Sequence, residues 1–282
     1  MVTSIPNYLF PQIITAFKTK IGCLALVGSF ATGNYSPQHP DINFVLIFNR
    51  PPTGRDYLRL GRIFSRTVHH FDRQFDIRFE YRPFKFPPPY GPKRNFEVFI
   101  NPVIADISQL SGDYPLNMPK NILAGMKSSR KIIFGRDLLG TVPTTVNKKY
   151  VLKTASRDLG IFITQLKFAA LSHDLTLPSP YLLNETISLG KMLLRLGLEI
   201  TLSDHQLRSG TYLKHIHDLP SIHRLYQRHY GQKTADSARL ILRARDQYDQ
   251  WKHNSSRIFA VYQAAHHVGT STWSKLSQLS QP

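Results

Sequence analysis

The apolar residues of this chain change period along its length. Ile21-Gly-Cys-Leu-Ala-Leu-Val27 is an unbroken apolar run of strand length, and Asp41-Ile-Asn-Phe-Val-Leu-Ile-Phe48 is a second. The second run opens with alternation, which puts Asp41 and Asn43 on one face and Ile42 and Phe44 on the other. Residues 8–20 suit a short amphipathic helix. Arg55 to Phe71 carries Leu58, Leu60, Ile63, Phe64, Val68 and Phe71 close to helical spacing. Phe75 to Arg82 then alternates strictly, with Phe75, Ile77, Phe79 and Tyr81 facing the core and Asp76, Arg78, Glu80 and Arg82 facing away. Asn95 to Ile100 reads as one further strand, with Glu97 on it.

Past Thr141–Asn147, a linker, the period is helical. Helices are predicted over Tyr150–His173, Tyr181–Leu198, Gln206–His217 and Leu219–Tyr230, with a long one from Ala235 to about Ala265. Such a set reads as an antiparallel bundle. Residues 269–282 are polar and predict a frayed tail. The fold class is therefore α+β, divided into residues 1–143, a bundle over 144–268 and the tail 269–282.

The chemistry lies where the first strand ends. Gly28 and Ser29 can offer close backbone amides and a hydroxyl to a phosphate. Asp41, thirteen positions on from Gly28, can hold Mg²⁺ beside it. An amide at Asn43 can ligate a hard cation but adds no charge. A unit charge about 4 Å away is worth up to ~4 kcal/mol at an effective dielectric of 20.

An apolar strand, Gly28-Ser29, a loop with Gly33 and Ser36, then Asp41-Ile42-Asn43 resembles the signature of the nucleotidyltransferase superfamily that includes DNA polymerase beta, in particular its minimal and aminoglycoside-type members. Ser129 to Leu139, containing Gly135-Arg-Asp137-Leu, is similar to the element that closes the catalytic domain in aminoglycoside-type relatives. The resemblance implies a mixed β-sheet with flanking helices followed by an all-α domain. It also implies transfer of a nucleoside monophosphate from a Mg²⁺-bound nucleoside triphosphate to a hydroxyl on a small molecule, tRNA or protein. In that reading Gly28, Ser29 and Gly33 bind nucleotide. Asp41, Asn43 and Asp76 hold metal, Asp41 and Asp76 are catalytic, and Glu80 is the reserve base. Asn43 departs from the pattern, where a second carboxylate is usual. The alternative is a catalytically degenerate nucleotide- or RNA-binding protein of the same fold.

Charge and composition narrow the setting. Thirty-six Lys and Arg against 18 Asp and Glu give a formal charge of +18. Eighteen basic and 9 acidic residues fall on each side of residue 143, so the excess is not a basic tail. That field suits polyanions, whether triphosphate, tRNA or other nucleic acid, and equally a solvated basic surface. The single Cys23 excludes a disulfide framework and fits a reducing, cytoplasmic setting. No apolar run is long enough for a membrane span, and no dinucleotide or Walker-type phosphate loop is present. Oligomeric state is open.

Three further patterns are weaker. Pro83–Arg94 interleaves prolines, aromatics and cations, which suits an extended loop or a nucleic-acid contact. Arg224–His229 has the Arg-x4-His form that resembles the ribonuclease site of HEPN proteins, and Arg208–His215 fits it loosely; with 12 His and 36 basic residues such pairs arise by chance. His215, His217, His266 and His267 read as exposed helix residues rather than zinc ligands, and Arg239, Arg243 and Lys252 as one solvated helix side.

Overall fold

A computed structural model describes residues 2–33, 35, 40–79, 96–176, 179–209, 212 and 218–279. They divide into two compact units, Met1–Thr145 and Val146–Pro282. Glu80, Ser36, the Pro83–Arg94 segment, His215 and His217 lie outside the described residues.

In unit 1 the elements are α1 (Ser4–Phe17), β1 (Ile21–Val27), α2 (Gly28–Thr32), β2 (Asp41–Phe48), α3 (Gly54–Phe71), β3 (Phe75–Phe79), β4 (Phe96–Asp106), α4 (Lys120–Ser128), β5 (Lys131–Gly135) and α5 (Leu138–Thr141). Five strands form one mixed sheet in the order β3-β4-β2-β1-β5. β1 runs antiparallel to both β2 and β5, and β4 runs parallel to both β2 and β3. Leu24, Leu26, Ile42, Phe44, Leu46, Val98 and Ile100 pack one face against α1 and α3. Cys23, Ala25, Val27, Val45 and Ile47 pack the other with Leu123 of α4 and Leu139 of α5. Burial raises the Cys23 thiol above its ordinary range, so the residue packs as a small hydrophobe.

β4 is longer than its sequence suggests. Asn101-Pro102 reads as a strand end, because proline cannot donate within a central strand. The pairing explains its presence. Phe99 donates its N–H to Pro40 O at 3.1 Å on the β2 side, so by alternation the ring nitrogen of Pro102 faces the β3 side. There, among the described residues, β3 pairs only as far as Ile100. Among the described residues the missing donor costs no ladder bond.

The Gly135-Arg-Asp137-Leu element is structural. Gly135 has φ +82, and a Cβ there would lie 2.3 Å from Gly22 O, so only glycine fits this crossing of β5 over β1. Asp137 accepts from Gly140 N at 2.8 Å to cap α5 and pairs with Arg130 at 2.7 Å.

Unit 2 contains α6 (Lys148–Thr176), α7 (Ser179–Glu199), α8 (Asp204–Ser209), α9 (Leu219–Tyr230), α10 (Gln232–Asp246), α11 (Tyr248–Trp251) and α12 (Ser255–Leu279). α7 packs against α6, α10 and α12 around Leu189, Leu193, Ile241, Ala265 and Val268. The long helix predicted from Ala235 is broken: α10 stops at Asp246, Tyr248 and Trp251 turn into the core, and Asn254 caps α12 by accepting from Arg257 N at 3.0 Å. Residues 269–279 do not fray. They continue α12 because Gly269, Thr272 and Leu276 are buried in the bundle. Glu199, fully buried, is satisfied by Tyr212 Oη at 2.7 Å and Arg195 Nε at 3.0 Å. His266 and His267 are half-buried rather than exposed, and His267 Nε2 lies 3.2 Å from Thr234 Oγ1. Arg224 is exposed on α9, while burial and the nearby Arg228, Lys275 and Lys148 hold His229 below its ordinary pKa. No described helix is long and apolar enough to cross a membrane.

Asp56 anchors the start of α3 through a capping box with Thr53 and an ion pair to Lys20 at 2.7 Å. The Lys20 bond, then the Thr53 amide, lower its carboxyl from 3.8 to about 2. A depressed folded-state pKa contributes stability above the unfolded value that is lost as pH falls from about 3.8 towards 2. Asp56→Ala should therefore cost about 1 kcal/mol at neutral pH. The cost should shrink below pH 4 when thermal melts of both proteins are compared across pH.

Candidate functional site

β1 ends where β2 begins, because the two strands are antiparallel: Val27 pairs with Asn43. β4 runs alongside β2 with Phe99 opposite Asp41 and Asn101 opposite Asn43. Alternation then sets Asp41, Asn43, Phe99 and Asn101 on one sheet face, the face whose other end α4 and α5 cover. The result is a polar ledge at the start of β2, with Asp41 and Asn43 half-buried and Asn101 buried at 4% exposure.

Gly28 turns the chain from β1 into α2 with φ +77, a conformation that costs other residues about 1–2 kcal/mol. A Cβ there would also meet the Asn43 amide nitrogen at 3.4 Å, so the glycine turn and Asn43 are immediate neighbours. The Gly28 N–H donates to Ser129 Oγ at 2.8 Å, and Ser129 in turn donates to Gly125 O at 2.9 Å. The Gly28 amide offered by the sequence to a phosphate thus has an internal partner at the end of α4. Ser29 is exposed at the start of α2, and Gly33, at φ +78, caps its end.

Asn101 was missed in the sequence because Pro102 hides the strand. Its Nδ2 donates to Asp41 Oδ1 at 2.7 Å, while its Oδ1 is buried with no hydrogen-bond partner among the described residues. The Asp41 carboxyl fixes this orientation, since a flipped amide would set two oxygens against each other. The Asn43 amide makes a long 3.4 Å bond to Asp41 O. One carboxylate and two amides therefore share the ledge.

Asp76 does not join them. It lies on the edge strand β3, opposite Glu97, two strands from Asp41 and one row away on the same face. Two strand spacings and one two-residue step separate the Cα atoms by roughly 12 Å. On the strand next to Asp41 it is Asn101, not Asp76, that makes the side-chain contact. Among the described residues no group of three His, Cys, Asp or Glu could hold a metal. Oxygen donors from Asp41, Asn43 and Asn101 suit one hard cation and lack the charge that two would need.

No family model matches the sequence, and no curated protein matches it either. Among solved structures, the chain is similar to spectinomycin adenyltransferase AAD(9) from Enterococcus faecialis, solved with ATP and spectinomycin. The TM-score is 0.57 at 12% identity, over 96% of this chain and 99% of that one. The likeness shows the fold: a mixed sheet with flanking helices and a helical C-terminal region.

Asn101→Asp would replace a donor to Asp41 with a second carboxylate. In EDTA the melting temperature should fall by about 4 °C at neutral pH, and less at acid pH where the pair shares a proton. Mg²⁺ should restore the variant while leaving the wild type nearly unmoved. Equal melting of both proteins with and without the ion would contradict the geometry.

Proposed function

We propose that unit 1 binds a Mg²⁺-nucleoside triphosphate at the β1–β2 ledge and transfers its nucleoside monophosphate to an acceptor hydroxyl, at a rate held down by the missing carboxylates. The observation that carries this reading is the convergence of the Gly28 turn, Asp41, Asn43 and Asn101 on one sheet face. The neighbour of the same fold was solved with ATP and spectinomycin. That supports a nucleotide of this kind and a small hydroxyl-bearing acceptor here.

Asp41 would hold the ion, with the amide oxygens of Asn43 and Asn101 as neutral co-ligands. When bound, the ion would neutralise triphosphate charge, the largest electrostatic need of such a transfer. The chain's own groups do the positioning. Asn101 orients the Asp41 carboxylate, Ser29 offers its hydroxyl, and the Gly28 amide becomes a phosphate donor once it leaves Ser129. Gly33 ends α2. Asp76, on the same face beyond β4, would receive the acceptor's proton, with Glu80 in reserve.

Asn43 and Asn101 together favour a second reading, nucleotide binding without turnover. Each replaces a site for negative charge with an amide, and loss of even part of ~4 kcal/mol per charge slows transfer by orders of magnitude. Transfer of radiolabelled nucleotide from each of the four triphosphates separates the two. Asp41→Ala should abolish both transfer and the Mg²⁺-dependent thermal shift by nucleotide. Asn43→Asp should raise the rate at least 10-fold. A wild type that binds but does not transfer, with Asn43→Asp gaining activity, would establish the second reading; full transfer by Asp41→Ala would defeat both.

A further inference from the structure

α3 carries a second feature on the opposite side of the sheet. Its apolar side, Leu60, Ile63 and Phe71, packs into the core with α1. Arg55, Arg59, Arg62 and Arg66 recur at steps of four, three and four residues, which confines them to an arc of about 60° at 100° per residue. All four are exposed, and Arg73 follows in the turn beyond the helix, also exposed. Among the described residues none of the five has an ion-pair partner. The helix's one acid, Asp56, is buried and committed to Lys20 and Thr53.

Adjacent arginines at i+3 and i+4 repel one another, whereas an ordinary solvated helix alternates signs at that spacing. The ridge therefore works against the stability of the helix that carries it. Two contacts along α1 shape its edge: the Arg59 guanidinium lies 5.4 Å over the Phe17 ring, and His70 stacks on Tyr8 at 3.9 Å.

We propose that the α3 arginine ridge is a docking surface for the phosphate backbone of a nucleic acid. The four helical arginines span about 17 Å, advancing about 4.5 or 6 Å from one arginine to the next along the axis. A strand offers one phosphate per about 3.4 Å of duplex axis, so four guanidiniums follow one strand without competing for a phosphate. Planar guanidiniums suit phosphate oxygens better than ammonium groups do. An anionic membrane is the poorer partner, because the hydrophobic side of α3 is in the core and its exposed Tyr57 and Leu58 lie about 100° apart around the helix rather than forming an apolar face. The Asp41 ledge occupies the other sheet face, so the ridge holds a nucleic acid apart from the ledge rather than feeding it in. Its role is independent of whether the ledge turns over.

The test is fluorescence anisotropy of a labelled 20-nucleotide RNA, single-stranded and as a duplex, titrated with full-length protein between 50 and 300 mM KCl. The triple variant Arg55→Ser/Arg62→Ser/Arg66→Ser should weaken binding roughly 100-fold and reduce the log–log salt slope by about 2 for the single strand. A control that removes the same charge from unit 2, Lys149→Ser/Lys233→Ser/Arg243→Ser, should change affinity less than 5-fold. Circular dichroism melts check that both variants fold. Asp41→Ala should leave RNA binding intact, and the ridge variant should keep the nucleotide thermal shift, which separates this proposal from the ledge. The proposal is overturned if the wild type binds neither RNA form, if ridge and control variants lose affinity equally, or if vesicles of phosphatidylserine and phosphatidylcholine (1:3) bind through the ridge while RNA does not.

Discussion

The register of three strands is the constraint on which the candidate chemistry depends. β2 is antiparallel to β1 and parallel to β4, so the end of one strand, the start of the next and the middle of a third meet at one height. A slip of one residue in β2 would turn Asp41 and Asn43 into the α1–α3 core and bring Ile42 and Phe44 to the ledge. That slip is blocked by burial: Ile42, Phe44, Leu46 and Phe48 are all enclosed by α1 and α3. The hydrophobic face thus fixes the position of the polar one, and Asn101 receives its place opposite Asn43 without any special local device.

Much of the ledge is legible in the sequence because its signals are local. The apolar runs bound β1 and β2 at Ile21–Val27 and Asp41–Phe48, and Gly28 marks the only kind of residue that turns cheaply at φ +77. The third strand is harder. Strict alternation makes Asp76 look like a partner for Asp41, but alternation reports a face and never a neighbour. Strand order is set by the long-range fit of β4 between β2 and β3, which no local pattern encodes. Proline at 102 compounds the error, since its meaning depends on which flank its nitrogen faces. In unit 2 the same limit shows at residues 247–254, where helical periodicity continues although Tyr248, Trp251 and Asn254 interrupt the helix.

Unit 1 divides its polar resources between two sides of one sheet. On the ledge, charge is sparse: one carboxylate held by one amide. On the exposed ridge of α3, charge is dense and positive, with no ion-pair partner among the described residues.

The hydrogen bond between the Gly28 amide and Ser129 has a consequence for selectivity. A newcomer to that amide gains only the difference between its own bond and the one it displaces. A neutral hydroxyl or water merely swaps like for like, whereas an ionised oxygen forms a bond about twice as strong. In the function proposed above, Ser129 would thereby set a threshold: an anion would displace it from the turn, and its hydroxyl would return when the anion leaves.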